Sequence, residues 1–83
     1  MIEAYVLIKT KPATAKGVAQ KINKIKGVNS AYAMWGLFDI VAHVQAKDLD
    51  NLDILVCHKI KRITNIVDTN TMICKNKDIP DKP

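Results

Sequence analysis

The sequence predicts an α+β fold: a four-stranded antiparallel sheet with two helices on one face, in the order βαββαβ. Three observations carry this. The chain repeats itself at an offset of 38 residues, each copy opens with strand-like alternation, and each alternating stretch is followed by a helical stripe and a second β-rich segment. The offset lays Ile2–Lys9 over Ile40–Lys47, matching Ile2 with Ile40, Ala4 with Ala42, Val6 with Val44 and Lys9 with Lys47. Carried onward without a gap, it pairs Val18 with Val56, Lys21 with Lys59, Ile22 with Ile60, Ile25 with Ile63 and Met34 with Met72. Two copies of one unit, each with a right-handed crossover, give the ferredoxin-like arrangement.

Each element has its own signal. Ile2, Ala4, Val6 and Ile8 alternate at period two, as do Ile40, Ala42 and Val44; these are strands one and three. Pro12 stops the first strand. From about Thr14 the apolar residues fall at Val18, Ile22 and Ile25, a helical stripe ended by Gly27. The β-rich segment Val28–Trp35 is strand two. Asp48 can cap a second helix whose buried stripe is Leu49, Leu52, Val56, Ile60 and Ile63, with lysines near its C-terminal end complementing the helix dipole. Ile66–Cys74 is strand four.

Two helices on one face leave the other face of the sheet bare. That face carries Glu3, Tyr5, Leu7 and Lys9 from strand one and Val41, His43 and Gln45 from strand three. Strand two has apolar character on both sides, with Tyr32 and Met34 on one and Ala31, Ala33 and Trp35 on the other. A second copy packed sheet against sheet would bury this half-apolar surface, so a two-fold dimer is expected. The length points the same way, because 83 residues make one small domain whose core alone stabilises it by a few kcal/mol at most. Residues 1–75 read as that domain and 76–83 as a polar tail.

Composition narrows the class. Apolar residues make up 48 % and aromatics 5 %, which argues against disorder, and no run approaches the ~20 apolar residues of a membrane span. The N-terminal "MIEAYVLIKTK" lacks signal-peptide features, so the expected location is cytoplasmic. Cys57 and Cys74 are far apart and form no C-x-x-C pair, which suggests reduced, buried thiols. The net charge of +5 gathers in "KTK", "KINKIK" and "HKIKR", which read as solvated helix faces, with nucleic acid or an acidic partner as the alternative.

Other uses of this fold lack their residues. Strand three, "IVAHVQ", has no aromatic for stacking RNA bases. The first strand–helix loop, "KTKPAT", has neither the arginine of an acylphosphatase-like phosphate cradle nor the C-x-x-C of a metal-transport domain. His43 and His58 stand without an acid–base pair evident in sequence, and both read as surface or sheet-face residues. Gly36 fits a turn between strands two and three that requires positive φ, and Asp39 fits a turn cap bonded to backbone amides.

The runs "IKGVNSAYAMWGLFDIVAHVQAKDLDNL" and "IKRITNIVDTNTMI" resemble the effector-binding (RAM) domain of the Lrp/AsnC family of regulators. The matching features are an Ile-x-Gly-Val helix exit (Gly27, Val28), an Ala-Tyr strand (Ala31, Tyr32), a Gly-x-x-Asp turn (Gly36, Asp39), an Asp-x-x-x-Leu helix start (Asp48, Leu52) and a closing Thr-x-Thr strand (Thr69, Thr71). The resemblance covers about Ile2 to Lys75. Two departures stand out. The first strand begins at Ile2 with no room for the helix-turn-helix domain usual in the family, which reads as a stand-alone form. "TNI" at Thr64–Ile66 replaces a Pro-Gly-Val exit, which is expected to alter that turn.

The resemblance implies a non-enzymatic sensor with no cofactor and no metal. Dimers would assemble further, for instance into octamers, and a small effector, commonly an amino acid, would bind in clefts between dimers. Residues carried over to that site are Trp35, Gly36, Leu37, Phe38, Asp39, Thr69 and Thr71. Gly36 and Leu37 would offer open backbone groups, Asp39 would accept from the ammonium, the threonines would donate hydroxyls, and Trp35 and Phe38 would form apolar walls. Co-assembly with full-length regulators would carry the signal to DNA, with no sequence-specific DNA binding and no membrane contact by this chain. The alternative is a small enzyme or metal-handling domain on the same fold.

Overall fold

The structure, a computed structural model, describes residues 1–75; the tail expected at 76–83 lies outside the described residues. The chain runs β1 (Ile2–Thr10), α1 (Ala15–Ile22), β2 (Val28–Ala33), β3 (Ile40–Ala46), α2 (Leu49–Asp53) and β4 (Ile66–Ile73), with a π-helical segment, Ile54–Ile60, continuing α2 directly. The strands form one antiparallel sheet in the order β2-β3-β1-β4, the ferredoxin-like topology. Ile8 pairs with Ile40 on one side and Thr69 on the other, so one continuous row crosses the three strands.

The alternation in β1 and β3 translates directly into burial. Ala4, Val6 and Ile8 and Ile40, Ala42 and Val44 are fully buried, against Val18 and Ile22 of α1 and Leu52, Leu55, Val56 and Ile60 of the second helix. The repeat is therefore physical: Val18 and Val56, and Ile22 and Ile60, occupy matching core positions.

Three sequence expectations need correction. Helix α1 ends at Ile22, short of Ile25 and Gly27, and the Asn23 side chain at its end bonds both the Ala19 carbonyl of the helix, at 3.2 Å, and the β2 edge. Its Oδ1 accepts from the Ala31 N–H at 2.9 Å, and its Nδ2 donates to the Ala31 carbonyl at 2.9 Å. Strand β2 ends at Ala33, two residues early, as Met34 donates to the Asp39 carbonyl and closes a loop. Leu49, expected in the buried stripe, is 59 % exposed, while Leu55 is buried in the core. At the Thr64–Ile66 turn Asn65 adopts φ 80° where Gly27, its partner at the repeat offset, adopts φ 101°, so the two exit turns share a left-handed backbone. Asparagine tolerates the left-handed region better than most residues, so it takes the glycine's role.

The cysteines differ from expectation as well. Cys57 is exposed on the π-helical segment and Cys74 is half-buried; both are free.

Candidate functional site

The loop between β2 and β3, Met34 to Asp39, is fixed at its base and bare at its tip. Asp39 is the anchor. Its N–H donates to the Ile8 carbonyl at 2.9 Å, its carbonyl accepts from Met34 at 2.8 Å, and its Oδ2 accepts from the Thr10 N–H at 2.8 Å. A fourth bond comes from the end of β1, where Lys9 Nζ donates to the Leu37 carbonyl at 3.1 Å. Asp39 is thus the half-buried cap that its turn position suggested, bonded to the β1 backbone. The Leu37 carbonyl, expected to be open to a ligand, already has a donor.

Beyond that base, Trp35 is 100 % exposed and Leu37 85 % exposed, while Phe38 is half-buried. Gly36 has φ 143°, and a Cβ there would meet nothing within 4 Å, so the backbone conformation and not space demands glycine. The loop forms one wall of a cleft of about 490 Å³; the opposite wall is the β1–α1 link and the first turn of α1. Lys11 and Lys16 line it from that side, Asp39 from the loop side, and Ala33, Met34 and Trp35 add apolar surface.

Thr69 and Thr71 lie elsewhere. They sit on β4 on the helix-facing side, in register with Ile8 and Val6, and line a separate groove of about 360 Å³ against Leu52, Val56, Cys57 and Lys61. Within one chain the structure does not bring them to the Trp35–Asp39 loop. In that groove the Cys57 thiol donates to Asp53 Oδ1 at 3.3 Å. This hydrogen bond to a carboxylate raises the thiol pKa above its ordinary value, desolvation and the Asp53 charge adding to it and Lys61 opposing it.

The bare sheet face carries a polar cluster that sequence reasoning missed. His43 Nε2 lies 3.0 Å from Glu3 Oε1, its Nδ1 lies 3.3 Å from Asn29 Nδ2, and its ring stacks on Tyr5 with centroids 4.9 Å apart. The signal was present, since alternation puts Glu3, Tyr5 and His43 on one face; only the register, Tyr5 opposite His43, brings them together. Around the cluster the face mixes exposed apolar residues with Lys9, Gln45 and Asn70. Tyr5 is 43 %, Tyr32 64 % and Met72 50 % exposed, and none of the four aromatic side chains of the chain is in the core. Among the described residues no group of three His, Cys, Asp or Glu is placed to hold a metal ion, and no helix is long and apolar enough to cross a membrane.

Comparison with known proteins places this architecture. The family model of the Lrp/AsnC ligand-binding domain matches residues 3–81, nearly the whole chain. The chain belongs to the Lrp/AsnC family. The uncharacterized HTH-type transcriptional regulator PF0250 of Pyrococcus furiosus is 34 % identical over 73 residues, covering 84 % of this chain and 49 % of the relative. The chain spans about half the length of the curated relatives it matches. Among solved structures, TTHA0845 from Thermus thermophilus superposes with a TM-score of 0.87 at 29 % identity, over 92 % of this chain and 95 % of that one. The regulator NMB0573 of Neisseria meningitidis, solved as an L-Met complex, shares the fold with a TM-score of 0.82 at 16 % identity, over 95 % of this chain and 53 % of that one. The Lrp/AsnC relatives are transcriptional regulators, and the Gly36–Asp39 turn of this domain is the anchored loop described above.

Proposed function

We propose that this Lrp/AsnC domain senses a small effector, an amino acid, at a site built on the Trp35–Asp39 loop and completed by another copy of the chain. The observation that carries the reading is the contrast within that loop: its base is held by four hydrogen bonds while Trp35 and Leu37 at its tip contact almost nothing. An apolar tip on a rigid base loses little entropy when it is covered, which favours a site at an interface. The exposed aromatics of the bare sheet face support dimerisation through the sheet, and further assembly would bring Thr69 and Thr71 of a neighbouring copy to the loop. The L-Met complex of NMB0573 supports an amino acid as effector. In the cytoplasm, the ligated domain would act on transcription by co-assembly with helix-turn-helix regulators like its relatives, with no sequence-specific DNA contact of its own.

A thermal-shift panel of amino acids, run beside sedimentation of the 83-residue chain, tests this. At least one amino acid should raise the melting temperature, since a ligand at 100 times its dissociation constant stabilises by ~2.7 kcal/mol, and the chain should sediment as a dimer or larger at micromolar concentration. A panel without a shift overturns amino-acid sensing, and a folded monomer overturns the interface site.

A further inference from the structure

We propose that Lys11 and Lys16 form the carboxylate anchor of the effector site, facing Asp39 across the 490 Å³ cleft, and that the cleft selects amino acids with an apolar side chain. This rests on the amino-acid reading above and names its polar partners and ligand class. Neither lysine is in an ion pair among the described residues, so two cations face one carboxylate, Asp39, across the cleft. Asp39 stands on the other wall with Oδ2 held by Thr10 and Oδ1 accepting no bond among the described residues, which leaves one fixed acceptor directed by the loop. A zwitterion presents the complementary pair: a carboxylate for the lysines and an ammonium for the aspartate.

The link that carries Lys11 is itself fixed. The Lys11 N–H donates to the Asn65 carbonyl at 3.0 Å, and its carbonyl accepts from the Thr14 hydroxyl at 2.7 Å. The Lys11 stem therefore starts from a fixed backbone, so the entropy lost on binding is confined to the side chains. Between the charged walls, Ala33, Met34 and Trp35 supply apolar surface with no further carboxylate or side-chain amide from this chain, which favours an apolar side chain on the ligand. The volume falls within the range of small-molecule sites.

The test uses the full chain, the twenty common L-amino acids by thermal shift, and calorimetry with the amino acid giving the largest shift and with its methyl ester, which keeps the ammonium and side chain. The best amino acid should be apolar. The ester should bind the wild type about ten- to a hundred-fold more weakly, the loss of a charge-assisted contact. In the Lys11→Gln/Lys16→Gln variant, acid and ester should bind alike. A variant that discriminates acid from ester as the wild type does, or a panel led by a charged amino acid, overturns this proposal and leaves amino-acid sensing intact. A panel with no shift removes both.

Discussion

The two halves of the repeat share core positions yet part company between strand and helix. In the second half, the residues after β3 turn straight into α2, with Asp48 Oδ1 accepting from the Asn51 N–H at 2.9 Å, and helix continues to Ile60. In the first half, the positions equivalent to Leu49–Leu52 are Lys11, Pro12, Ala13 and Thr14, and they form a loop instead. Thr10 stands where Asp48 would be and is locked in β1, Pro12 disfavours helical backbone at Lys11, and Ala13 takes φ 65°. Thr14 turns its hydroxyl back to Lys11 and makes no side-chain cap on α1. The Lys11–Asp39 cleft lies at that loop, while the second helix lines a groove of its own with Thr69 and Thr71. One unit, duplicated, thus has an open half, with a loop before its helix, and a closed half, where helix begins at once.

The sharpest way to break this comparison is at the two matching exit turns. Gly27 and Asn65 share positive φ, but a Cβ at Gly27 would lie 3.2 Å from Leu55 Cδ2 and 3.3 Å from the Gln45 carbonyl oxygen. Gly27→Val is therefore expected to cost on the order of 2 to 5 kcal/mol, strain and crowding together. Asn65→Gly should stay within about 0.5 kcal/mol of wild type. Urea denaturation of both proteins checks the asymmetry, and a Gly27→Val loss no larger than that of Asn65→Gly would mean that neither strain nor crowding operates at Gly27.

Next in size is the anchor of the open half. An exposed turn aspartate would be worth little, but Asp39 satisfies the N–H of Thr10, which is 8 % exposed. Asp39→Ala should cost about 1 to 3 kcal/mol by leaving that donor unpaired, and Asp39→Asn, which keeps an oxygen acceptor, should recover much of it. Thermal melts of the unliganded variants separate this structural role from ligand contact, which calorimetry reads.

Capping distinguishes the two strand–helix links more gently. Asp48→Ala is expected to lose about 0.5 to 2 kcal/mol as a helix cap, whereas Thr14→Ala, with no cap to lose, should change stability by less than about 0.5 kcal/mol. Chemical denaturation with circular dichroism would measure both.

The smallest effect concerns the closed half. Asp53 holds the Cys57 thiol protonated, so Asp53→Ala lowers the thiol pKa back toward its ordinary value and exposes more thiolate at pH 8. Alkylation of Cys57, followed by peptide mass spectrometry, should be faster in the variant at pH 8. At strongly alkaline pH, where both thiols are ionised, the two proteins should converge.

What the sequence alone determined was the repeat, the fold class and most of the core. Period-two alternation in Ile2–Ile8 and the apolar spacing of Val18, Ile22, Val56 and Ile60 are local consequences of strand and helix geometry, so they can be read without a partner. The Asp48 cap and the Gly36 turn were legible for the same reason. Other features needed residues distant in the chain: Asn23 at the end of α1 pairing with Ala31, Asp39 reaching Thr10, and Glu3 meeting His43 across the sheet. The cleft lined by Lys11, Lys16 and Asp39 exists only because folding sets the β1–α1 link against the Trp35–Asp39 loop. Local geometry repeats along a chain and shows in its pattern, whereas strand register and loop apposition are decided by packing over long sequence separations, which only the tertiary structure resolves.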